Sequence, residues 1–339
     1  METVDISIVV CTYNRAKMLR GALGSLIGQE TDGRFSYEIV VIDDGSTDDT
    51  GGVVKEVAER SQVSVRYVYN NGSGIAEARN KGVIEARGGW IAFFDDDQLA
   101  EKDWLKNLFE IALQTGADCV GGTRLLDLPE EELSRLGPVS REILGEYVWQ
   151  EESCVYRGKK HPATGSILVN RSVFDSLGLF DTSLLGGGED YDLVNRMCTA
   201  GYDIWSAPNA VVRHLIPRYR LELAFFRWSS LRRGATHALI NHKQFGRGKT
   251  LFLCIARIGQ ALLINVPFLL LAYLRRDRVE AIDRKCLLWQ AAGYTRRTVH
   301  LLAPEMFPQE GFFSRIEFRK ERFSIAEFQG SLRKGKIDT

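Results

Sequence analysis

Four apolar runs alternating with helical stretches in the first hundred residues constrain this chain more than any other feature. Ile6–Cys11 (ISIVVC) is continuously apolar, the pattern of a strand buried on both faces of a parallel sheet. Arg15–Gln29 follows, with Leu19, Leu23, Leu26 and Ile27 at helical spacing. Then Glu38–Ile42 reads as strand, Thr50–Arg60 as helix, Val65–Tyr69 as strand, Ile75–Arg87 as helix and Trp90–Phe94 as a fourth strand. Four βα units with short connections predict an α/β architecture, a right-handed and mostly parallel Rossmann-like sheet. Ligands of such sheets bind beyond the carboxyl ends of the strands. After Asp118 the rhythm loosens. Pro129–Leu133 is an acidic surface segment, Ser166–Asn170 a strand, and Asp190–Ala200 a helix carrying Leu193, Val194 and Met197. Asp203–Ser206 and Ala210–His214 read as two short strands.

With 339 residues, 45% hydrophobic and 26% charged, the chain is long enough to bury about 75% of its unfolded surface. That composition excludes disordered, collagenous and disulfide-scaffold classes. The six cysteines form no CxxC pair, which argues against structural zinc and for reduced thiols in a cytosolic protein. The first strand begins with no basic leader or apolar h-region before it, so no secretory signal is expected. Lys+Arg and Asp+Glu balance at 44 each, but the charges segregate. Glu101–Ser153 holds twelve acids and five bases, whereas Arg213–Thr250 holds nine bases against Glu222 alone.

The strand ends carry the polar residues. Thr12, Tyr13 and Asn14 follow the first strand, where Thr12 or Asn14 also suits a helix cap. Asp43 and Asp44 follow the second, in a run of turn-forming residues that could equally accept hydrogen bonds from a nucleobase or ribose. Gly72 and Gly74 follow the third, but Glu77 stands where a dinucleotide fingerprint needs its last glycine. Asp95, Asp96 and Asp97 follow the fourth. Three carboxylates so close repel one another without a cation, and hard oxygen ligands suit Mg²⁺ or Mn²⁺ bound jointly with a substrate diphosphate. A second cluster, Gly186-Gly187-Gly188-Glu189-Asp190, combines close backbone approach with a carboxylate that is either a helix cap or a general base.

Seven motifs in order (VVCTYNR, IDDGSTDDT, GIAEARNKG, FFDDD, ATGSILVNR, GGGEDYDL and VVRH) resemble a family 2 glycosyltransferase of the GT-A fold from Ile6 to His214. The resemblance implies that Thr12, Tyr13, Asn14 and Asp44 line the nucleotide base, with Arg79 nearby. Asp95 and Asp97 match the DxD pair, the first toward the ribose and the second on the metal, with Asp96 in the variable middle position. Gly165 matches the glycine beneath the donor sugar, and Asp190 the catalytic base, with Glu189 beside it. His214 matches a late histidine that in some relatives reaches the metal, so Asp95, Asp97 and His214 are the metal-ligand candidates. The implied reaction is inverting sugar transfer from a UDP-, GDP- or dTDP-linked donor to a hydroxyl of a glycan or lipid-linked acceptor, in cell-surface polysaccharide or glycolipid assembly. A sugar nucleotidyltransferase would instead carry a glycine-rich phosphate loop after the first strand. A non-catalytic glycan-binding or scaffold protein would show a broken acidic motif.

The expected organisation is a nucleotide-sugar half (1–115), an acceptor half (116–215) and a basic, apolar and aromatic-rich extension (216–339). Within the extension, Leu251–Leu274 is long enough to cross a bilayer core. Basic residues flank it on both sides, unlike a span with one-sided lysine and arginine bias. The expectation is an interfacial or re-entrant element broken near Pro267, held at the cytoplasmic face by anionic headgroups. The alternative is a buried helix pair packing on the catalytic domain or on a second subunit. The tail phenylalanines (Phe307, Phe312, Phe313, Phe318, Phe323 and Phe328) read as a lipid- or subunit-facing segment. No nucleic-acid module accompanies the basic run, so no nucleic-acid partner is expected.

Overall fold

The computed structural model describes residues 4–149, 152–156, 162, 164–184 and 188–307. Gly186 and Gly187 of the triple glycine, and Phe312 to Phe328 of the tail, lie outside the described residues. Two compact units emerge, one reaching to Leu133 and resuming over Leu144–Pro217, the other made of Ser134–Ile143 and the chain from Arg218.

In the first unit the elements run β1 (Ile6–Thr12), α1 (Ala16–Leu26), β2 (Tyr37–Asp43), α2 (Thr50–Arg60), β3 (Ser64–Tyr69), α3 (Ile75–Glu85) and β4 (Trp90–Asp95). Next come β5 (Gln98–Ala100), α4 (Trp104–Thr115), β6 (Cys119–Asp127) and the short α5 (Glu130–Leu133), before α6 (Pro138–Ile143) in the second unit. The first unit then resumes with β7 (Ser166–Asn170), α7 (Arg171–Leu177), α8 (Glu189–Ala200) and β8 (Ile204–Leu215). One eight-stranded sheet has the order β3-β2-β1-β4-β7-β6-β8-β5. β1 pairs in parallel with both β2 and β4, and β2 with β3, as the βα rhythm predicts. β7 then runs antiparallel to β4 and β6, so the second half of the sheet is mixed.

β1 and β2 are buried almost throughout, which is why their sequences do not alternate. Helices α1, α2 and α4 supply Leu19, Leu23, Val53, Val54, Leu105 and Leu108 to the core on one face. The buried Glu38 is held by Ser7 Oγ (2.7 Å), Arg66 Nε (2.9 Å) and the Arg87 N–H (2.9 Å). Burial would raise that carboxyl, but Arg66, Ser7 and the backbone donor outweigh it and hold it below its usual range.

In the second half of the sheet the structure departs from the sequence expectation at β6 and β8. The separate strands at 203–206 and 210–214 are one strand, β8, whose pairing with β6 jumps from Ala207 to Val211. Pro208 has no N–H to give the ladder, so the chain bulges there instead of ending. β6 itself gave no strand signal, because Gly121 and Gly122 interrupt its apolar run. Their missing side chains leave room for Pro162, Trp149 and Ser166.

In the second unit a long helix, α9 (Leu223–Gln260), is kinked at Gly246, whose φ of 75° a side chain would resist. It continues through a π segment, Ala261–Asn265, into α10 (Val266–Arg275). α11 (Arg278–Leu302) returns along α9, and Gly234 and Gly293 let the two backbones cross so closely that a Cβ on either would strike the other. The chain does not break at Pro267 as expected. The π turn, closed by Val266 N–H to Ala261 O, absorbs the proline within a continuous helix. Reversal occurs instead at Arg276, which adopts φ 57°. Only 17% of the most apolar window of this helix is buried within the chain.

Candidate active site

The acidic turn after β4 is neutralised residue by residue. Asp96 is buried, accepting from Thr12 Oγ1 at 2.7 Å and Arg15 Nη1 at 2.7 Å. Burial pushes its carboxyl up, opposed by Arg15. The middle aspartate is therefore a clamp between the ends of β1 and β4, not a group aimed at solvent. Asp97 lies 3.1 Å from Arg15 Nη1 and 3.4 Å from His214 Nε2. Asp95, the most open of the three at 34% side-chain exposure, faces Arg79 (3.7 Å), Arg124 (3.6 Å) and Gln98 Nε2 (3.2 Å).

Arg79 joins this turn to the second acidic cluster. From α3 its guanidinium reaches Asp95 on one side and makes a close ion pair with buried Glu189 on the other, with its Cζ 5.9 Å from the Phe180 ring centroid. Burial would lower the Arg79 pKa, but Glu189, Asp95 and Asp190 together raise it. Glu189 thus spends its carboxylate on Arg79. Asp190, one residue further into α8, stays half-exposed, with Oδ1 accepting the Tyr191 N–H at 2.8 Å. Of the two adjacent acids, only Asp190 offers an accessible carboxylate.

The neighbouring loops are laced together. Asn14, with φ 51°, accepts the Thr47 N–H (2.7 Å) and gives its own N–H to Ser46 Oγ (2.9 Å), while Tyr13 beside it is half-buried. Asp44 accepts from Asn70 Nδ2 (2.8 Å) and the Gly74 N–H (3.0 Å), so it staples the loop after β3. Burial pushes the Cys11 thiol up to about 12, away from the thiolate form.

Gly165, just before β7, closes the floor. A Cβ there would stand 2.6 Å from Asp95 Oδ2, 2.5 Å from Arg124 Nη1 and closer still to Gln98 Nε2. Gly165→Ala is expected to push these groups out of register and cut turnover by about 10²-fold with little loss of fold. Steady-state kinetics beside a melting curve checks this, and a variant of normal turnover would remove Gly165 from the site.

Asp97 and His214 bring one hard oxygen and one imidazole nitrogen to the same point, a donor pair that fits a divalent ion completed by substrate phosphates. The third candidate does not join them, because Asp95 is turned to its two arginines. Among the described residues no three His, Cys, Asp or Glu side chains form a ready cage. Arg15, Gln98 and Arg124 join the site without any local sequence signal. Arg15 ends the first motif, but nothing in its neighbours says that it folds back onto Asp96. Arg124 sits in a strand that its glycines conceal.

Residues 7–177 match the family model for glycosyl transferase family 2. The succinoglycan biosynthesis protein ExoM of Rhizobium meliloti is 30% identical over 251 residues, covering 72% of this chain and 78% of that protein. Glycosyltransferase AglE of Haloferax volcanii is 24% identical over 62% of this chain and 66% of its own length. Among solved structures, the mannosyltransferase PcManGT from Pyrobaculum calidifontis, in complex with GDP-Man and Mn²⁺, shares the fold with a TM-score of 0.57. It is 18% identical, over 87% of this chain and 88% of its own. S. aureus TarS 1-349 in complex with UDP-GlcNAc has a TM-score of 0.50 and 16% identity, over 88% of this chain and 92% of its own.

Proposed function

This chain belongs to glycosyl transferase family 2, and from that premise we propose that it is an inverting, metal-dependent hexosyltransferase. Its donor is a nucleoside diphosphate sugar linked to UDP, GDP or dTDP, and its acceptor a hydroxyl of a glycan or lipid-linked saccharide. The reading rests above all on Arg79, whose guanidinium contacts Asp95 and Glu189 at once. That shared partner supports a reading in which the acids after β4 and the start of α8 serve one sugar.

Asp190 is the general base. Its half-exposed carboxylate takes the proton of the acceptor hydroxyl as that oxygen attacks the anomeric carbon, opposite the departing nucleoside diphosphate. Glu189 and Arg79 position it. The backbones at Thr12, Tyr13 and Asn14 and the Asp44 loop bound the base pocket, Asp95 faces the ribose, and Gly165 leaves room beneath the sugar. Asp97 and His214 would hold Mg²⁺ or Mn²⁺, which would supply Lewis-acid neutralisation of charge on the departing diphosphate.

ExoM takes part in succinoglycan biosynthesis, and the proposed setting here is likewise cell-surface polysaccharide or glycolipid assembly, at the cytoplasmic face of the membrane. A thermal-shift panel of UDP-, GDP- and dTDP-sugars with and without Mn²⁺ identifies the donor, since a ligand of the folded form raises its melting temperature. Product anomers read by NMR then test inversion. A donor that binds without ever yielding product would favour a non-catalytic glycan-binding role.

Asp97→Ala is expected to abolish the Mn²⁺ dependence of donor binding and to weaken the metal-assisted affinity by about 10-fold or more. Calorimetry on the variant with and without Mn²⁺ checks this. A retained difference of wild-type size would place the ion elsewhere.

A further inference from the structure

Resting on the membrane-face placement proposed above, we infer that the helix pair of the second unit is a monotopic anchor. It lies in the plane of one leaflet of an anionic bilayer and does not span it. By length and hydropathy a crossing is open too, because Leu223–Arg275 contains a window of mean hydropathy 1.8.

Many apolar residues of this stretch are bare. Phe252 (68%), Ile255 (62%), Leu263 (79%) and Leu274 (82%) are largely exposed, and they recur at helical spacing along the half of α9 after Gly246, the π segment and α10. A soluble protein seldom leaves so long an apolar face uncovered. Its ends are basic, with Arg247 and Lys249 before it and Arg275, Arg276 and Arg278 after it. Anionic headgroups complement that charge. A second copy placed by two-fold symmetry would set the basic ends against a like-charged partner, and residues 308–339, with seven bases to five acids, bring no compensating charge.

The way α11 returns excludes a crossing. If α10 spanned, the turn at Arg276 would reach the far side and the residues after it would re-enter the hydrocarbon. Asp283 lies six residues, about 9 Å of helix, beyond Asp277. It accepts the backbone N–H groups of Val139 (2.9 Å) and Ser140 (2.8 Å), tying α6 with its Arg141 and Glu142 to that level. The next residue, Arg284, donates to Asn265 Oδ1 at 3.0 Å, in the middle of the apolar stretch, and its Cζ lies 4.7 Å from the Phe268 ring centroid. Asn265 at mid-bilayer would therefore draw Asp283, Arg284 and the charged ends of α6 into the core, where ionised groups are expelled. Laid flat, the same pair is amphipathic. One side goes into the acyl chains by about 5–10 Å, while the side bearing α11 and α6 stays wet.

The test uses the full-length protein and sealed vesicles, either pure phosphatidylcholine or with roughly a third phosphatidylglycerol. Flotation with the anionic vesicles, weakened by salt, is expected. The double variant Leu263→Glu/Leu274→Glu should bind them at least about tenfold less, with melting temperature and donor-induced shift unchanged. Arg276→Cys, treated with a membrane-impermeant maleimide, should label above the wild-type background from the side where protein was added.

Shielding of Arg276→Cys on vesicle binding would mean a span and overturn the inference. Undiminished binding by the double variant would reduce the contact to headgroup charge and also overturn it. A protein that ignores both vesicles but self-associates through these leucines would make the face a subunit interface. Because the donor-induced shift is read on the same variants, loss of membrane binding is distinguishable from failure of the glycosyl-transfer reading.

Discussion

Asp190→Asn should lower turnover by about 10²–10⁴-fold while nucleotide-sugar affinity changes little. Asparagine keeps the size of the side chain and its acceptor for the Tyr191 N–H, so α8 has no reason to move. What disappears is the only accessible carboxylate in the pair Glu189–Asp190, since Glu189 is buried against Arg79. An acceptor hydroxyl that cannot shed its proton as it attacks must reach a far more charged transition state. The measurement is kcat in saturating donor and acceptor, with donor binding followed by thermal shift. Turnover within a few-fold of wild type would end the assignment of Asp190 as base. A parallel loss of donor binding would mean that the substitution disturbed the site as a whole.

The second large effect is expected at Arg79. Arg79→Met preserves much of the side chain's bulk over Phe180 but leaves Glu189 as a buried acid without its partner, and Asp95 without one of its two arginines. Breaking a buried pair from one side typically costs about 3–5 kcal/mol. Turnover should fall by about 10²-fold besides, because the start of α8 loses the contact that registers Asp190 against the donor-side acids. The companion variant Arg79→Met/Glu189→Gln separates the two effects. Removing the orphaned charge should restore much of the stability, with a coupling of about 1–3 kcal/mol in the double-mutant cycle, yet leave turnover low. Strict additivity would show that the ion pair carries no such linkage. Full recovery of turnover together with stability would show that Arg79 acts through the fold alone.

These two residues also mark how far the sequence could be read. Asp190 is legible because it stands at a local junction, a glycine run passing into an amphipathic helix. Asp95 and Asp97 are legible for the same reason at the end of β4. The ion pair of Arg79 with Glu189 joins positions 110 residues apart, and no local pattern announces it. Arg15 on Asp96 and Asp97 is likewise hidden, although its own helix was foreseen within a few residues at either end. β6 gives no local signal because Gly121 and Gly122 interrupt its apolar run, yet they are the residues that let Pro162, Trp149 and Ser166 pack against the strand.

What the amino-acid order determined by itself is the set of local decisions. It marked the strands buried on both faces, the helices with one apolar stripe and the polar residues left where each strand emerges. Those depend on side chains a few positions apart, and burial reads them directly. Tertiary structure alone decided which acid stays accessible and which is buried in an ion pair, where β8 bulges instead of stopping, and that the apolar stretch is backed by charged α11. Each of those outcomes is a contest between distant groups for the same partner or the same space. Such contests are resolved by Coulomb attraction and close packing only once the chain has brought the competitors together.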